Sequence, residues 1–174
     1  MDRKLEKRLS ERVVAIGRDG EVSAFQELLD LVDSTSANVR RLAASALGKL
    51  AWSGVDQNAA VSKLAILARS DPHTQTRQYA IKALKAYGAA SLGCLNDLKD
   101  MGHNPSEKDY IRRDANSAWQ FIEETVKIAE LRSEHRCQRC NSIVDAAEYA
   151  RSEQVFQRWM FTSNIGAWIR RNTK

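Results

Sequence analysis

The chain has 174 residues, of which 43% are hydrophobic and 28% charged, and its formal net charge is +5. This composition is typical of a globular protein that buries a core without disulfide bonds. Two prolines and eight glycines are too few for an all-β fold with many tight turns. No run of 18 apolar residues predicts a transmembrane helix. The charged N-terminus lacks the apolar segment of a secretory signal, so we expect a cytoplasmic protein.

The first predicted element is an amphipathic helix over residues 2–17. Its apolar stripe consists of Leu5, Leu9, Val13 and Ile16, and the following Asp19-Gly20 is a helix stop. Basic side chains cover the opposite face. Because the terminal unit of a helical array needs a polar outer face, this helix is predicted to be a cap.

The next 100 residues contain an internal repeat. Segments 39–50, 76–87 and 111–122 align with offsets of 37 and 35 residues. The alignment superposes arginines, two rows of alanines spaced by three, and a row of larger apolar residues. The arginines are Arg40, Arg77 and Arg112, and the alanines are Ala43, Ala80, Ala115, Ala46, Ala83 and Ala118. Small residues on one helical face let a neighbouring helix approach closely.

Each repeated segment follows another apolar helical pattern, at residues 22–33, 59–70 and 91–100. Polar breaks separate the two helices of each pair, and Ser36, Thr74 and Ser106 are predicted N-caps of the second helices. The pattern therefore predicts three antiparallel helix pairs stacked side by side. One pair cannot bury its apolar face alone, whereas a stack can.

Residues 36–50 have the form S-x-x-V-R-R-x-A-A-x-A-L-G-K-L. This segment resembles HEAT repeats, and is most similar to the short bacterial type also found in phycobilin lyases. The resemblance covers roughly residues 20–125 and implies an all-α fold: an α-solenoid of about three HEAT-like helix pairs with helical caps. The predicted domains are a capping helix at 1–20, HEAT-like repeats at 21–134 and a C-terminal tail at 135–174.

The resemblance implies a scaffold whose second helices line a concave face that binds another macromolecule. Candidate binding residues are the polar side chains that point to this face: Arg41, Lys49, Gln78, Lys82, Lys85, Arg113 and Gln120. This polar, moderately basic surface suits an acidic partner, so we favour a protein-binding scaffold without enzymatic activity. The aligned arginines are predicted to be structural instead, each pairing with a carboxylate such as Asp33, Asp71 or Asp109.

The alternative function is nucleic-acid binding by the concave face and the two termini. The net charge is +3 over residues 1–18, −2 over 19–126 and +4 over 127–174, and the sequence pI is about 9.2. A dedicated nucleic-acid binder concentrates its Lys and Arg on one face. Because the repeats carry a net negative charge, this function ranks second.

The tail contains a C-x-x-C motif at Cys137 and Cys140 that resembles one knuckle of a zinc ribbon. The second pair of cysteines expected some 15–20 residues later is missing. Three alternatives remain open: two chains share a zinc ion, His135 or His103 completes a site, or the thiols are unligated, which we favour. A homodimer through the tail would bury its apolar residues, which are Trp159, Met160, Phe161, Trp168 and Ile169.

Motifs of catalysis are missing from the sequence. It has no phosphate-binding glycine loop and no H-E-x-x-H pair. Asp114 and Trp119 are similar in type to the Asp and Trp of HEAT-like DNA glycosylases, but they lack a motif. A lyase activity would follow from fold resemblance alone. We therefore expect no enzyme, and no cofactor other than the zinc ion considered above.

Overall fold

The computed structural model of this chain describes residues 2–134, which contain seven α-helices and no β-strand. The helices are α1 (Arg3–Asp19), α2 (Phe25–Leu31), α3 (Ala37–Lys49), α4 (Gln57–Ser70), α5 (Thr74–Tyr87), α6 (Leu95–His103) and α7 (Asp109–Glu134). Short 3-10 segments, Val22–Ala24 and Gly88–Cys94, lead into α2 and α6. The predicted all-α class is confirmed. No helix in this part of the chain has the length and apolarity needed to cross a membrane.

Residues 1–123 form one compact unit and residues 124–174 a second, to which the last turns of α7 belong. In the first unit the helices form the predicted pairs α2–α3, α4–α5 and α6–α7. Helix α3 packs along both α1 and α5, whereas the first helices α2 and α4 make only a small contact with each other. The second helices therefore make the more tightly packed layer of an α-solenoid, and α1 extends that layer at its N-terminal end.

Helix α1 closes the array as an amphipathic cap. Val13 and Ile16 are fully buried, while Leu5 is 45% exposed, so only the C-terminal part of the predicted stripe enters the core. Gly20 ends the helix in the left-handed conformation, with φ of 67°, and its N–H donates to the carbonyl of Ile16. Exposed Arg12 donates to the carboxylates of Glu21 and Glu27 and thereby links α1 to the start of the first pair.

The small residues of the repeat lie where neighbouring second helices meet. All six aligned alanines are buried, with at most 3% of their surface exposed. A Cβ atom on Gly48 of α3 would lie 3.0 Å from the Cα of Ala83 on α5, and one on Gly17 of α1 would lie 3.0 Å from the Cβ of Ala46 on α3. The backbones of successive second helices therefore approach closely at these points, as the alanine rows predict.

Two of the aligned arginines connect successive pairs. Arg40 forms an ion pair with Asp71 at 2.6 Å, and Arg77 forms one with Glu107. Arg112 instead pairs with Asp109 of its own helix. The prediction that these arginines bind carboxylates near the turns is confirmed, and for the first two the carboxylate belongs to the following pair.

The predicted N-caps are correct at one of three positions. The Ser36 hydroxyl accepts a hydrogen bond from the N–H of Val39 at 3.3 Å. Thr74 is wrong as an N-cap, because α5 begins at Thr74 itself and the side chain of Asp71 accepts from the N–H of the capping residue, His73. Ser106 is also wrong, because the longer connection delays the start of α7 until Asp109. The Asp71 carboxylate therefore accepts a hydrogen bond in the turn between α4 and α5 and also binds Arg40.

Candidate partner-binding surface

The predicted concave face corresponds to the side of α3, α5 and α7 that points away from the first helices. We call this surface the inner face. The repeat alignment places Arg41, Gln78 and Arg113 at one equivalent position and Ser45, Lys82 and Ser117 at another, one turn later. These positions are partly or fully exposed, whereas Ala43 and Leu47 on the opposite side of α3 are buried. The inner face is therefore formed by Arg41, Lys49, Gln78, Tyr79, Lys82, Lys85, Arg113, Asp114, Ser117 and Gln120.

An aromatic ring lies near the centre of the inner face, between two cations. The guanidinium carbon of Arg41 lies 5.1 Å from the ring centroid of Tyr79, and the ammonium of Lys82 lies 5.6 Å from it. Arg41 also donates to the side-chain oxygen of Asn38 at 2.8 Å. Both cations are within the distance at which the ring face attracts positive charge. The contacts hold the Arg41 guanidinium between α3 and α5.

On α7, the Asp114 carboxylate binds several neighbouring polar side chains. Its carboxylate accepts a hydrogen bond from the Gln78 amide at 2.7 Å and forms ion pairs with Lys82 and Arg113, each at 3.5 Å. Its side chain is only 13% exposed, whereas those of Lys82 and Arg113 are 52% and 73% exposed. A largely buried carboxylate thus compensates two of the predicted binding cations.

Lys85 occupies a more enclosed position one turn further along α5. Its ammonium donates to the hydroxyl of Ser117 at 2.7 Å and lies 5.4 Å from the ring centroid of Phe121. Burial lowers the pKa of Lys85 below 10.5, and the charge of Asp114 offsets only part of that shift. No carboxylate lies within 4.0 Å of this ammonium among the described residues. Lys85 is therefore a partly dehydrated cation without a direct counter-ion.

Two predicted residues lie outside these clusters. Lys49 is half-buried at the C-terminal end of α3, and its carbon chain lies over Gly17 of α1. Gln120 is exposed on α7. The structure therefore gathers Arg41, Gln78, Lys82 and Arg113 around Tyr79 and Asp114, places Lys85 beside them, and leaves Lys49 and Gln120 apart.

Compensation of charge distinguishes the inner face from the first helices of the repeats. Between residues 21 and 123, most basic side chains form an ion pair with a carboxylate, including those of the first helices α4 and α6. Among the residues that the structure describes, the basic side chains of this range without a carboxylate within 4.0 Å are Arg41, Lys49, Lys85 and Lys108. Three of these four belong to the inner face. Within the repeats, uncompensated positive charge is thus concentrated on the surface formed by the second helices. Helix α1 carries a further set, since Arg3, Lys4 and Arg8 also have no carboxylate within 4.0 Å among the described residues.

Sequence reasoning missed the aromatic and acidic centre of the surface. Leu42, Tyr79 and Asp114 occupy the same position of the aligned repeats. The signal that could have found them is the replacement of the aliphatic Leu42 by a tyrosine and an aspartate in the later repeats. Such a replacement within a repeat indicates a local role. That role is to organise the cations that the sequence did identify.

The residues compared with a glycosylase site do not come together around one cleft. Asp114 binds side chains of α5, as described above. The Trp119 indole donates to Asn116 at 3.0 Å, and its ring lies 4.8 Å from the ammonium of Lys99 on α6. The two side chains therefore serve different neighbours.

The predicted metal ligands Cys137 and Cys140 lie outside the described residues, as do His135 and the apolar tail residues considered for dimerisation. His103 donates from Nδ1 to the Lys99 carbonyl at 2.7 Å. Within the described part of the chain, no three side chains of His, Cys, Asp or Glu form a group suited to a metal ion. Cys94 is a buried free thiol. The zinc site and the homodimer thus stay predictions from the sequence.

Comparison with known proteins identifies the repeat type. Neither a curated protein nor a solved structure matches the chain. A family model does match: the model for HEAT repeats covers residues 10–85, from α1 into the last turn of α5. HEAT repeats generally act as scaffolds for protein interactions. Residues 10–85 are therefore similar to HEAT repeats, and the helices of residues 2–134 form an α-solenoid.

Proposed function

We propose that this protein is a non-enzymatic scaffold whose inner face binds an acidic segment of a partner protein. The observation that carries the proposal is the concentration of carboxylate-free cations on that face, at Arg41, Lys49 and Lys85. Half-buried cations gain more from a ligand carboxylate than fully solvated ones, because less water has to be displaced and the local dielectric constant is lower. A charge-assisted hydrogen bond of this kind is about twice as strong as a neutral one.

The arrangement favours a protein over a nucleic acid. A nucleic acid presents a continuous row of phosphates, and its binding is driven by many Lys and Arg contacts along that row. The inner face offers few uncompensated cations, and the Asp114 carboxylate lies among them. Residues 19–126 also carry a net charge of −2. A segment with separated acidic side chains meets such a surface with less repulsion than a phosphodiester backbone does.

Fluorescence anisotropy of labelled ligands tests the proposal. The full chain is titrated into a fluorescein-labelled glutamate-rich peptide, a single-stranded DNA and a single-stranded RNA, each at low and at near-physiological salt. We expect the peptide to bind with a Kd of roughly micromolar magnitude and to bind more tightly than either nucleic acid at near-physiological salt. Binding through many phosphate contacts weakens steeply with salt. Tight DNA or RNA binding with a steep slope of log affinity against log salt concentration would therefore favour the nucleic-acid alternative.

A pair of matched variants locates the peptide on the protein. Arg41→Gln removes a carboxylate-free guanidinium from the inner face and should weaken peptide binding about tenfold. Arg69→Gln removes a guanidinium that pairs with Asp97 between α4 and α6, with a side chain 60% exposed, and should leave binding unchanged. Equal losses in the two variants would contradict a binding surface on the inner face.

A further inference from the structure

The cations of the inner face belong to two classes, separated by Asp114. Lys82 and Arg113 already share the Asp114 carboxylate, at 3.5 Å each. Arg41 contacts a ring and an amide oxygen, and Lys85 contacts a hydroxyl and a ring. The first class is compensated and largely exposed. The second class is half-buried and, within residues 2–134, has no carboxylate within 4.0 Å.

This difference decides what an incoming carboxylate gains at each cation. At Lys82, the new carboxylate competes with Asp114, and the two negative charges repel each other. At Lys85, the ammonium has already lost part of its water, and its position is set by Ser117. The Arg41 guanidinium is likewise held in place before the ligand arrives. A preorganised group loses little side-chain freedom on binding.

We infer that Arg41 and Lys85 are the two anchor points for the acidic partner, and that Asp114 withholds Lys82 and Arg113 from it. The inference rests on the proposed function and adds the specificity of the site. Asp114 acts on the partner through the cations it holds, so it is a positioning residue rather than a binding group.

The fold also sets the spacing between the two anchors. Arg41 lies beside Tyr79, and Lys85 follows Tyr79 by six positions along α5, a rise of about 9 Å. Neighbouring packed helices lie about 8–10 Å apart, so the anchors are separated by roughly 13 Å when both components are combined. An extended peptide advances about 3.3 Å per residue and alternates its side chains between two faces. Two acidic residues four positions apart span about this distance and point to the same face.

Two peptides of identical composition and a continuous glutamate run test the spacing. One fluorescein-labelled peptide carries two glutamates four positions apart in a neutral Ser/Gly/Thr background, a second carries them adjacent, and a third is a continuous glutamate run. We expect the full chain to bind the spaced peptide at least about fivefold more tightly than the adjacent one, since only the spaced peptide reaches both anchors. Equal affinity for the spaced and adjacent peptides would overturn the spacing.

Two lysine variants on the same helix test the anchors. Lys85→Gln should weaken binding of the spaced peptide by about tenfold, whereas Lys82→Gln should change that affinity by less than about threefold. Asp114→Asn keeps the shape of the side chain and releases Lys82, so the continuous glutamate run should bind a few-fold more tightly to this variant. Circular dichroism of each variant confirms that the helical fold is retained.

The outcomes separate this inference from the proposed function. If acidic peptides bind but Lys82→Gln costs as much as Lys85→Gln, Asp114 does not divide the cations and the inference is wrong, while the proposed function stands. If none of the three acidic peptides binds wild-type protein even at low salt, both are wrong, because electrostatic attraction is strongest there.

Discussion

The guanidinium of Arg40 holds the carboxylate of Asp71 with two hydrogen bonds, of 2.6 Å from Nε and 3.1 Å from Nη2. The Asp71 side chain is 2% exposed and that of Arg40 is 13% exposed. Arg40 also donates to the carbonyl of Ser34, and Asp71 accepts from the N–H of His73. A single buried ion pair thus connects the turn of the first helix pair to the turn of the second.

The first prediction concerns this ion pair. Asp71→Ala leaves the Arg40 guanidinium buried without its counter-ion and should lower the free energy of unfolding by about 3 kcal/mol, within the range for one-sided loss of a buried pair. Glu11→Ala removes the exposed ion pair with Lys7 on α1 and should cost less than about 0.5 kcal/mol. Urea denaturation followed by circular dichroism measures both. A similar small cost for the two variants would show that the Arg40–Asp71 pair does not stabilise the stack.

The row of arginines shows what the repeat alone can predict. Equal spacing identifies Arg40, Arg77 and Arg112 as equivalent, and the polar turns supply candidate carboxylates. Which carboxylate each arginine binds depends on how far one pair is displaced against the next. That displacement results from the packing of the second helices, and the longer third connection changes it again by supplying Glu107 to Arg77. The arginine positions could therefore be predicted, and their partners could not.

The same limit applies to the inner face. Helical periodicity within the repeat identified Arg41, Gln78, Lys82, Lys85 and Arg113 as side chains of one surface. It could not show that a single carboxylate compensates some of them and leaves others without a counter-ion. Compensation depends on distances between residues that are more than 30 positions apart in the chain, such as the 2.7 Å hydrogen bond between Gln78 and Asp114. The sequence predicts the surface, and the tertiary structure distinguishes its residues.

A second prediction concerns the close approach of α3 and α5. Gly48→Ala places a Cβ atom 3.0 Å from both Cα and Cβ of Ala83, closer than ordinary van der Waals contact. Because backbone atoms cannot give way as a flexible side chain does, the variant should lose about 1–3 kcal/mol of stability. Gly93→Ala is the control, since its Cβ would have no neighbour within 4 Å. Thermal unfolding of both variants should show a loss for Gly48→Ala only, and an unchanged melting temperature in both would refute tight packing at this point.

A third prediction concerns the buried hydroxyl of Tyr87. It donates to the backbone carbonyl of Leu47 at 2.9 Å and so connects α5 to α3. Tyr87→Phe removes this donor and leaves the Leu47 carbonyl with the N–H of Leu50, at 3.0 Å, as its remaining partner. The loss of one buried hydrogen bond should cost about 1 kcal/mol. Tyr110→Phe removes the same hydroxyl oxygen from a half-buried tyrosine and should lower the free energy of unfolding by less than about 0.5 kcal/mol. Chemical denaturation distinguishes the two, and a neutral Tyr87→Phe would mean that the bond from the Leu50 N–H is enough to satisfy the Leu47 carbonyl.

The last prediction links the burial of Lys85 to the pH dependence of binding. Burial lowers the pKa of the ammonium below 10.5, so Lys85 loses its proton at a lower pH in the folded chain than in the unfolded one. Between these two pKa values the unfolded state holds more protons, and the stability of the wild type therefore rises with pH relative to Lys85→Gln. Ligand binding has the opposite dependence, because only the charged ammonium attracts a carboxylate. The affinity for an acidic peptide should fall as the pH rises through the folded-state pKa of Lys85.

Lys85→Arg provides the control for that dependence, because a guanidinium stays protonated over the whole range. The Arg variant should bind the peptide with an affinity that stays nearly constant from neutral pH to pH 10.5, whereas the wild-type affinity declines. A decline of the same size in both proteins would assign the pH dependence to another group and would remove Lys85 from the binding site.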